Sequence, residues 1–243
     1  MPYGNFRANI DLPYVKDIYV EVRTQQGREN LVGFFRVHDS TVNPADILAT
    51  IQNDWPESEL DRQVLESLDG LAPAHLVYCD SGMTTFPMCD VPFSIGNFRQ
   101  LTQQQYIDFI NGLGNVPLSN RVVRPPRYPA LLSPYSVWHY RLNWVCKVRD
   151  MDYIEIRDDQ PKAILEVTGR LTNEGHLQNS LNQIKDRLNI QKEIMSQVGA
   201  HLGIPGYFVI HTTDLQIFYI YDLSWRRVAR LDQQGYTQWI ETL

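Results

Sequence analysis

Two runs of strand character meet at a turn in the C-terminal half of the chain. The first run ends at Arg157, the sequence Asp158-Asp159-Gln160 follows, and Pro161 opens a second run that is apolar on both faces. Short polar residues favour turns, and a strand that is apolar on both faces is typical of the centre of a sheet. The pattern therefore predicts an antiparallel hairpin over Cys146–Thr168.

A helical pattern and then a strand pattern follow the hairpin. Apolar residues recur at spacings of three, four or seven over 176–202, which predicts one long helix with a stripe that faces the core. Strands are predicted at 207–211 and 216–221. A helix followed by a strand in this order predicts a crossover that packs against the hairpin sheet.

The first half of the chain combines strand and helix patterns. These predict a strand hairpin over 14–38, helices over 43–54, 58–68 and 102–114, and further strands at 76–79 and 83–88. We interpret residues 1–114 as an N-terminal mixed α+β module that is rich in β-structure. A second module, over 135–243, is predicted to begin with a strand at Ser136–Leu142, which contains His139.

A Pro- and Arg-rich segment, residues 115–134, separates the two predicted modules. It holds five prolines and three arginines, which indicates an extended linker. In an extended segment, Arg121, Arg124 and Arg127 are suited to follow a nucleic-acid phosphate backbone. The alternative is a structured linker whose arginines are simply solvated.

The charge of the chain limits the classes of partner. The net charge is −6, and the imbalance lies in residues 1–100, which hold seven Lys and Arg against fourteen Asp and Glu. This counts against a protein that coats DNA nonspecifically and with high affinity, but it leaves room for a local basic site. No run of about 18 apolar residues predicts a membrane span. Three scattered cysteines and a start that lacks a secretory pattern predict a cytoplasmic protein.

The hairpin brings two acids together if its register is correct. With Arg157 facing Pro161, Asp152 lies directly opposite Glu166, whereas a loop one residue longer or shorter shifts this pairing. Like charges in this position destabilise a sheet unless they are neutralised. The alternatives are a bridging divalent cation, a proton held by one carboxyl, a different register, or two unrelated acids at a solvated strand end.

The same hairpin resembles the restriction-endonuclease-like, or PD-(D/E)XK, nuclease superfamily. The motif is an Asp on one strand, a turn, and a hydrophobic strand that carries Glu-x-Lys. Asp152 and Glu166 match its acids, whereas Thr168 stands at the Lys position. The resemblance covers about residues 135–223, and it implies an α/β fold with a mixed sheet flanked by helices.

The resemblance implies a Mg²⁺-dependent endodeoxyribonuclease, with Mn²⁺ as an alternative ion. Asp152 and Glu166 would be metal ligands, and the backbone carbonyl of Val167 a further one. Basic residues that would replace the motif Lys are Lys162, Arg170 and Lys185. Accessory candidates are the acids Asp108 and Glu66 and the amides Gln191 and Gln197. DNA is the expected partner and RNA a second possibility, with the chain acting as a homodimer or in a larger complex.

Thr168 also supports a different interpretation. A chain that keeps the nuclease fold but lacks the Lys is a candidate for a protein that no longer cleaves. Such a protein would act as a nucleic-acid or protein binding or assembly module.

Overall fold

The computed structural model describes residues 3–25, 28–39, 42–113, 133–141, 147–171 and 174–243. Contacts divide the chain into two compact units. We call Asp17–Asp150 the inserted unit, and residues 3–16 together with Met151–Leu243 the hairpin unit. Both are mixed α/β structures with helices flanking a mixed sheet, which the sequence predicted for the C-terminal part of the chain. The linker predicted over 115–134 lies, up to residue 132, outside the described residues, so the predicted domain boundaries stay a prediction.

The hairpin unit contains the predicted strand hairpin and crossover. Its elements are α1 (Tyr3–Ala8), β6 (Lys147–Arg157, which enters the unit at Met151), β7 (Gln160–Leu171), α6 (Leu177–Arg187), α7 (Asn189–Leu202), β8 (Gly206–Thr212), β9 (Ile217–Asp222), β10 (Arg227–Asp232) and α8 (Gln233–Glu241). The strand order is β10-β9-β8-β7-β6. Strand β8 is parallel to β7, which confirms the predicted crossover, and the other neighbours are antiparallel.

The inserted unit is built in the same way. Its elements are β1 (Tyr14–Gln25, which enters the unit at Asp17), β2 (Arg28–Asp39), α2 (Ile47–Asp54), α3 (Glu59–Leu68), β3 (Ala74–Cys79), β4 (Thr85–Asp90), β5 (Arg99–Thr102), α4 (Gln103–Leu113) and α5 (Pro134–Arg141). The strand order is β1-β2-β3-β4-β5, with β2 and β3 parallel and the other neighbours antiparallel. In each unit a hairpin is followed by two helices, a parallel strand, two antiparallel strands and a helix.

The correspondence between the units extends to single residues. Phe34 in β2 donates its N–H to Pro73 O at 2.8 Å, and Ile164 in β7 donates to Pro205 O at 3.0 Å. Each hairpin carries a register shift in its first strand, after Glu21 in one unit and after Glu155 in the other. With Phe34 aligned to Ile164, the chain is an internal structural repeat.

The repeat includes a buried glutamate that is paired with a base on a short helix. In the hairpin unit, Arg7 of α1 contacts both carboxylate oxygens of Glu155, at 3.0 and 2.5 Å. In the inserted unit, His139 Nε2 of α5 lies 2.6 Å from Glu21 Oε1. All four side chains are buried, so each short helix is fixed to the sheet by a charged or polar pair.

A pair of tyrosines is repeated as well. The Tyr3 and Tyr236 hydroxyls lie 2.6 Å apart in the hairpin unit, and those of Tyr135 and Tyr106 lie 2.9 Å apart in the inserted unit. Burial raises the pKa of all four phenols, which remain protonated donors at neutral pH. The core of each unit thus contains a buried pair of tyrosine hydroxyls within hydrogen-bonding distance.

Two predicted elements were wrong. Residues 134–141 form a helix and not a strand, because Ser133 Oγ accepts the N–H of Ser136 as an N-terminal cap and Pro134 occupies the first helical position. The long helix predicted over 176–202 is two helices that meet at Leu188. The apolar stripe continues through both, since Leu188 itself is buried.

The faces of the hairpin sheet differ in what covers them. Ala163 and Leu165 pack in an aromatic core with residues of α1 and α8. Since side chains alternate along a strand, Ile164, Glu166 and Thr168 point to the other face. Contacts of α7 with β7 and β8 place helix on that face. Among the described residues, no helix is long and apolar enough to cross a membrane.

Candidate functional site

The turn of the hairpin fixes the register at the site. Arg157 pairs with Gln160, so the turn has two residues, and the predicted three-residue turn with Arg157 facing Pro161 was wrong. Asp158 and Asp159 have φ of 50° and 58°, the left-handed geometry that two-residue hairpin turns prefer.

A register shift after Glu155 compensates for the shorter turn. Beyond it, Tyr153 pairs with Leu165 and Ile154 with Ile164. One residue further along this register, Asp152 is opposite Glu166, the arrangement that the sequence analysis considered. Two departures from the expected geometry therefore cancel.

The carboxylate of Asp152 reaches strand β7. The backbone N–H of Val167 donates to Asp152 Oδ2 at 2.6 Å. Asp152 is half-buried, and Glu166 is buried with 8% of its surface exposed. The two acids thus lie on the same face of neighbouring strands, at the partly solvated end of the sheet.

A base that the sequence analysis missed lies beside Thr168. Arg187, in the last turn of α6, donates from Nη2 to Thr168 Oγ1 at 2.9 Å. Thr168 is buried, whereas Arg187 is exposed. Thr168 is two residues from Glu166 on the same face, so the Arg187 guanidinium contacts the strand that carries Glu166. The available signal was weak: a basic residue near a helix end is common.

The three predicted bases are placed differently. The Lys185 ammonium lies 5.7 Å from the ring centroid of Trp225, which stacks on Phe208, the neighbour of Glu166 on β8. Lys162 is four residues from Glu166 along β7, or about 13 Å in an extended strand. The side chain of Arg170 lies outside the described residues, as do Arg121, Arg124 and Arg127.

The accessory candidates belong to different units. Asp108 and Glu66 belong to the inserted unit, and both are exposed; Asp108 accepts from Gln104 at 2.8 Å. Gln191 and Gln197 lie on α7, which covers the site face. Gln191 Oε1 is buried and accepts no hydrogen bond from the protein.

The hairpin offers two carboxylates that a hard cation of the magnesium type would use. In the described parts of the chain, no three His, Cys, Asp or Glu side chains are grouped to hold a metal ion. Structural zinc sites need four protein ligands, whereas Mg²⁺ is usually held by one or two carboxylates with water and substrate phosphate. Asp152 and Glu166 supply that smaller set.

Comparisons with known proteins identify no family for this chain. No family model matches it, and no curated protein matches it. Among solved structures, it aligns with the crystal structure of the sex pheromone staph-cAM373 precursor at 9% sequence identity and a TM-score of 0.21. That alignment covers 96% of this chain and 82% of the other. A likeness this low carries no argument about fold or function.

Proposed function

We propose that the hairpin unit is a metal-dependent phosphodiesterase of the restriction-endonuclease-like type that cleaves DNA. The observation that carries the proposal is the Asp152 carboxylate, which the Val167 N–H holds against β7 beside Glu166. Two acids on one face, in a parallel crossover with helices above, are the arrangement that the family resemblance implies.

Each residue has a distinct part in this proposal. Asp152 and Glu166 bind Mg²⁺ or Mn²⁺, and the Val167 carbonyl is a further candidate ligand. The bound ion supplies Lewis acidity and lowers the pKa of a coordinated water. The Val167 N–H donates to Asp152 Oδ2, and this bond fixes the orientation of the Asp152 carboxylate relative to β7.

Arg187 takes the role of the cation in the site. Its guanidinium is always protonated and has several donors, which suit the oxygens of a phosphodiester. The Thr168 hydroxyl accepts one of these donors and positions the group. Charge that develops on the phosphate is then stabilised by a cation that comes from the crossover helix and not from β7.

The second candidate function is binding without cleavage, to nucleic acid or to a protein in an assembly. The observation that favours it is that Thr168, at the motif Lys position, is itself engaged by Arg187. The chain would then use the nuclease fold as a scaffold. We place either function in the cytoplasm, because Cys79 and Cys89 are buried as thiols.

A cleavage assay distinguishes the two candidates. Circular DNA, linear DNA and RNA are incubated with the protein and Mg²⁺ or Mn²⁺, using the parent, Asp152→Asn and Glu166→Gln. We expect DNA cutting by the parent and a loss of at least about 100-fold in both variants, the upper end of what loss of an outer partner of a metal ligand costs. Asp159→Asn is the matched control, because Asp159 is an exposed acid in the turn of the same hairpin.

Each result is decisive for one candidate. Cutting that persists in both site variants contradicts the proposed centre. Binding of DNA by a parent that never cuts it, under either ion, supports the second candidate.

A further inference from the structure

The inserted unit has a cavity at the ends of its two parallel strands. Its volume is about 440 Å³, within the range of small-molecule sites. The lining residues come from β1, β2, the segment after β2, α2 and β3: Asp17, Arg36, Val37, His38, Asp39, Val42, Thr50, Asp54 and Tyr78. Strands β2 and β3 end at Asp39 and Cys79, and ligands of α/β sheets bind outside the carboxyl ends of such strands.

The internal repeat gives this position a counterpart. With Phe34 aligned to Ile164, Arg36 and His38 occupy the positions of Glu166 and Thr168. The cavity therefore lies where the hairpin unit carries its pair of acids. The side chains differ in chemistry, so a ligand of this cavity differs from that of the other unit.

The positive charge in the cavity wall is neutralised by Asp61, which does not line the cavity. Asp61 Oδ2 lies 2.9 Å from Arg36 Nε and 3.0 Å from His38 Nε2. Burial acts to raise the pKa of Asp61, but the bond to His38 and the charge of Arg36 outweigh it and lower that pKa. Asp61 is thus ionised at neutral pH and compensates Arg36.

The remaining charges on the wall are negative. Asp17, Asp39 and Asp54 contribute carboxylates from three different elements. They are not grouped as a metal site in the described residues. Carboxylates that are spread around a cavity complement a cation whose charges are also spread out.

Tyr78 adds a polar group that has no protein partner. The residue is fully buried, its ring stacks on His38 with centroids 4.7 Å apart, and its hydroxyl makes no hydrogen bond. The neighbouring Ser58 hydroxyl donates to Trp55 O and accepts from Arg62. Burial raises the pKa of Tyr78 to about 12 although the nearby Ser58 hydroxyl acts to lower it, so the phenol is neutral. A buried hydroxyl without a partner is costly unless a ligand or water satisfies it.

We propose that this cavity binds a small organic cation with two or more ammonium groups, such as a polyamine. The ammonium groups pair with Asp39 and Asp54 at the rim, and one N–H reaches the Tyr78 hydroxyl oxygen. The apolar stem lies against Val37 and Val42. The site is independent of the proposed nuclease centre and does not require it.

The test is calorimetric titration of spermidine into the full chain at constant ionic strength. The parent is expected to bind one spermidine per chain. Asp54→Asn and Tyr78→Phe each remove one partner and keep the shape of the side chain, so each should weaken binding about tenfold. Glu66→Gln is the control, because Glu66 is an exposed acid on α3 outside the cavity lining, and it should bind as the parent does.

Several results overturn the proposal. They are the absence of saturable spermidine binding, equal affinity in parent and both cavity variants, or an equal loss in Glu66→Gln, which would indicate nonspecific charge. Binding of Mg²⁺ alone, or of inorganic phosphate, that is lost in Asp54→Asn would assign the cavity to a metal or an anion instead. Circular dichroism of each variant shows that it is folded before titration.

Discussion

The two units of this chain share a scaffold but differ at equivalent functional positions. Each buries a glutamate at a bulge of its first hairpin strand and pairs it with a base from a short helix. By contrast, Glu166 and Thr168 of the hairpin unit correspond to Arg36 and His38 of the inserted unit. Features that the units share are candidates for maintaining the fold, whereas the positions that differ are the candidates for function.

The side chains that contact the differing positions carry opposite charges in the two units. Thr168 receives a guanidinium, that of Arg187, from the first crossover helix, whereas His38 receives the carboxylate of Asp61 from the second crossover helix of its own unit. One position thus gains positive charge beside two acids, and the other gains negative charge beside a base. The comparison predicts large stability effects in the shared pairs and large activity effects at the differing positions.

The largest effect is expected for the buried pair of the hairpin unit. Arg7→Met removes the guanidinium that contacts both oxygens of Glu155 and leaves only Arg157, 3.6 Å from Glu155 Oε2, and loss of one member of such a buried pair costs about 3–5 kcal/mol. The free energy of unfolding from urea titration measures this. The double variant Arg7→Met with Glu155→Leu should recover most of the loss, because no unpaired charge remains. A single variant as stable as the parent would contradict a structural role for the pair.

The next effect concerns activity at Arg187. Arg187→Gln should lower kcat about 100-fold, since it removes a donor for charge on the phosphate, while the free energy of unfolding changes little. Lys185→Gln is the matched comparison on the same helix, and it should lower the rate less than Arg187→Gln, because the Lys185 ammonium lies over Trp225 whereas Arg187 contacts Thr168. Equal effects of both substitutions would remove the special role of Arg187.

A smaller effect on stability is expected at Gly169 of β7, whose backbone lies close to the side chain of His211. A Cβ on Gly169 would lie 2.3 Å from His211 Cε1, and His211 is buried and stacked on Tyr3. Gly169→Ala should therefore reduce the free energy of unfolding by about 1–3 kcal/mol. Gly96→Ala, where no atom lies within 4 Å of the added Cβ, should have little effect. Thermal unfolding of both variants measures the difference.

Equivalent turns in the two units predict different dependences on pH. Asp80 is buried and accepts backbone N–H groups from Gly82, Thr84 and Thr85; burial opposes these bonds, which nonetheless lower its pKa. Its folded pKa is below 3.8, so its stabilisation is present above that value and is lost as the pH falls through the folded pKa.

Asp80→Ala should therefore cost about 1–3 kcal/mol at neutral pH, because it leaves buried donors unsatisfied, and the difference from the parent should shrink under acid. In the equivalent turn the counterpart of Asp80 is Thr212, and the acid of that turn is Asp214: Thr212 lowers the pKa of Asp214, but the carboxylate is exposed. Asp214→Ala should have a smaller effect at all pH values. Urea titrations at a series of pH values from neutral to acidic measure both variants.

Sequence patterns predicted the helices and strands better than the contacts between residues that are distant in sequence. The hairpin and the crossover were predicted because alternation and helical spacing are local. The helix at 134–141 was not, since its alternating residues suggested a strand until the Ser133 cap was known. The repeat was not predicted either: its signature is a set of pairs such as Arg7 with Glu155, and these are distant in sequence.

The candidate site was predicted in part for the same reason. Asp152 and Glu166 lie on neighbouring strands, so a motif with a short turn finds them. Arg187 comes from a different element, and its contact with Thr168 depends on how α6 packs over the sheet. The turn length was predicted incorrectly, and the register still agreed because the bulge after Glu155 offset it.

The most direct test of the central claim is a calorimetric titration of Mn²⁺ into the parent, Asp152→Asn and Glu166→Gln. The account predicts one saturable site in the parent and at least about tenfold weaker binding in each variant, while Asp159→Asn binds as the parent does. Both site variants should unfold within about 1 kcal/mol of the parent, because each removes one of two opposed like charges. Equal Mn²⁺ affinity in all four proteins would show that Asp152 and Glu166 do not hold a metal ion, and the nuclease proposal would then be wrong.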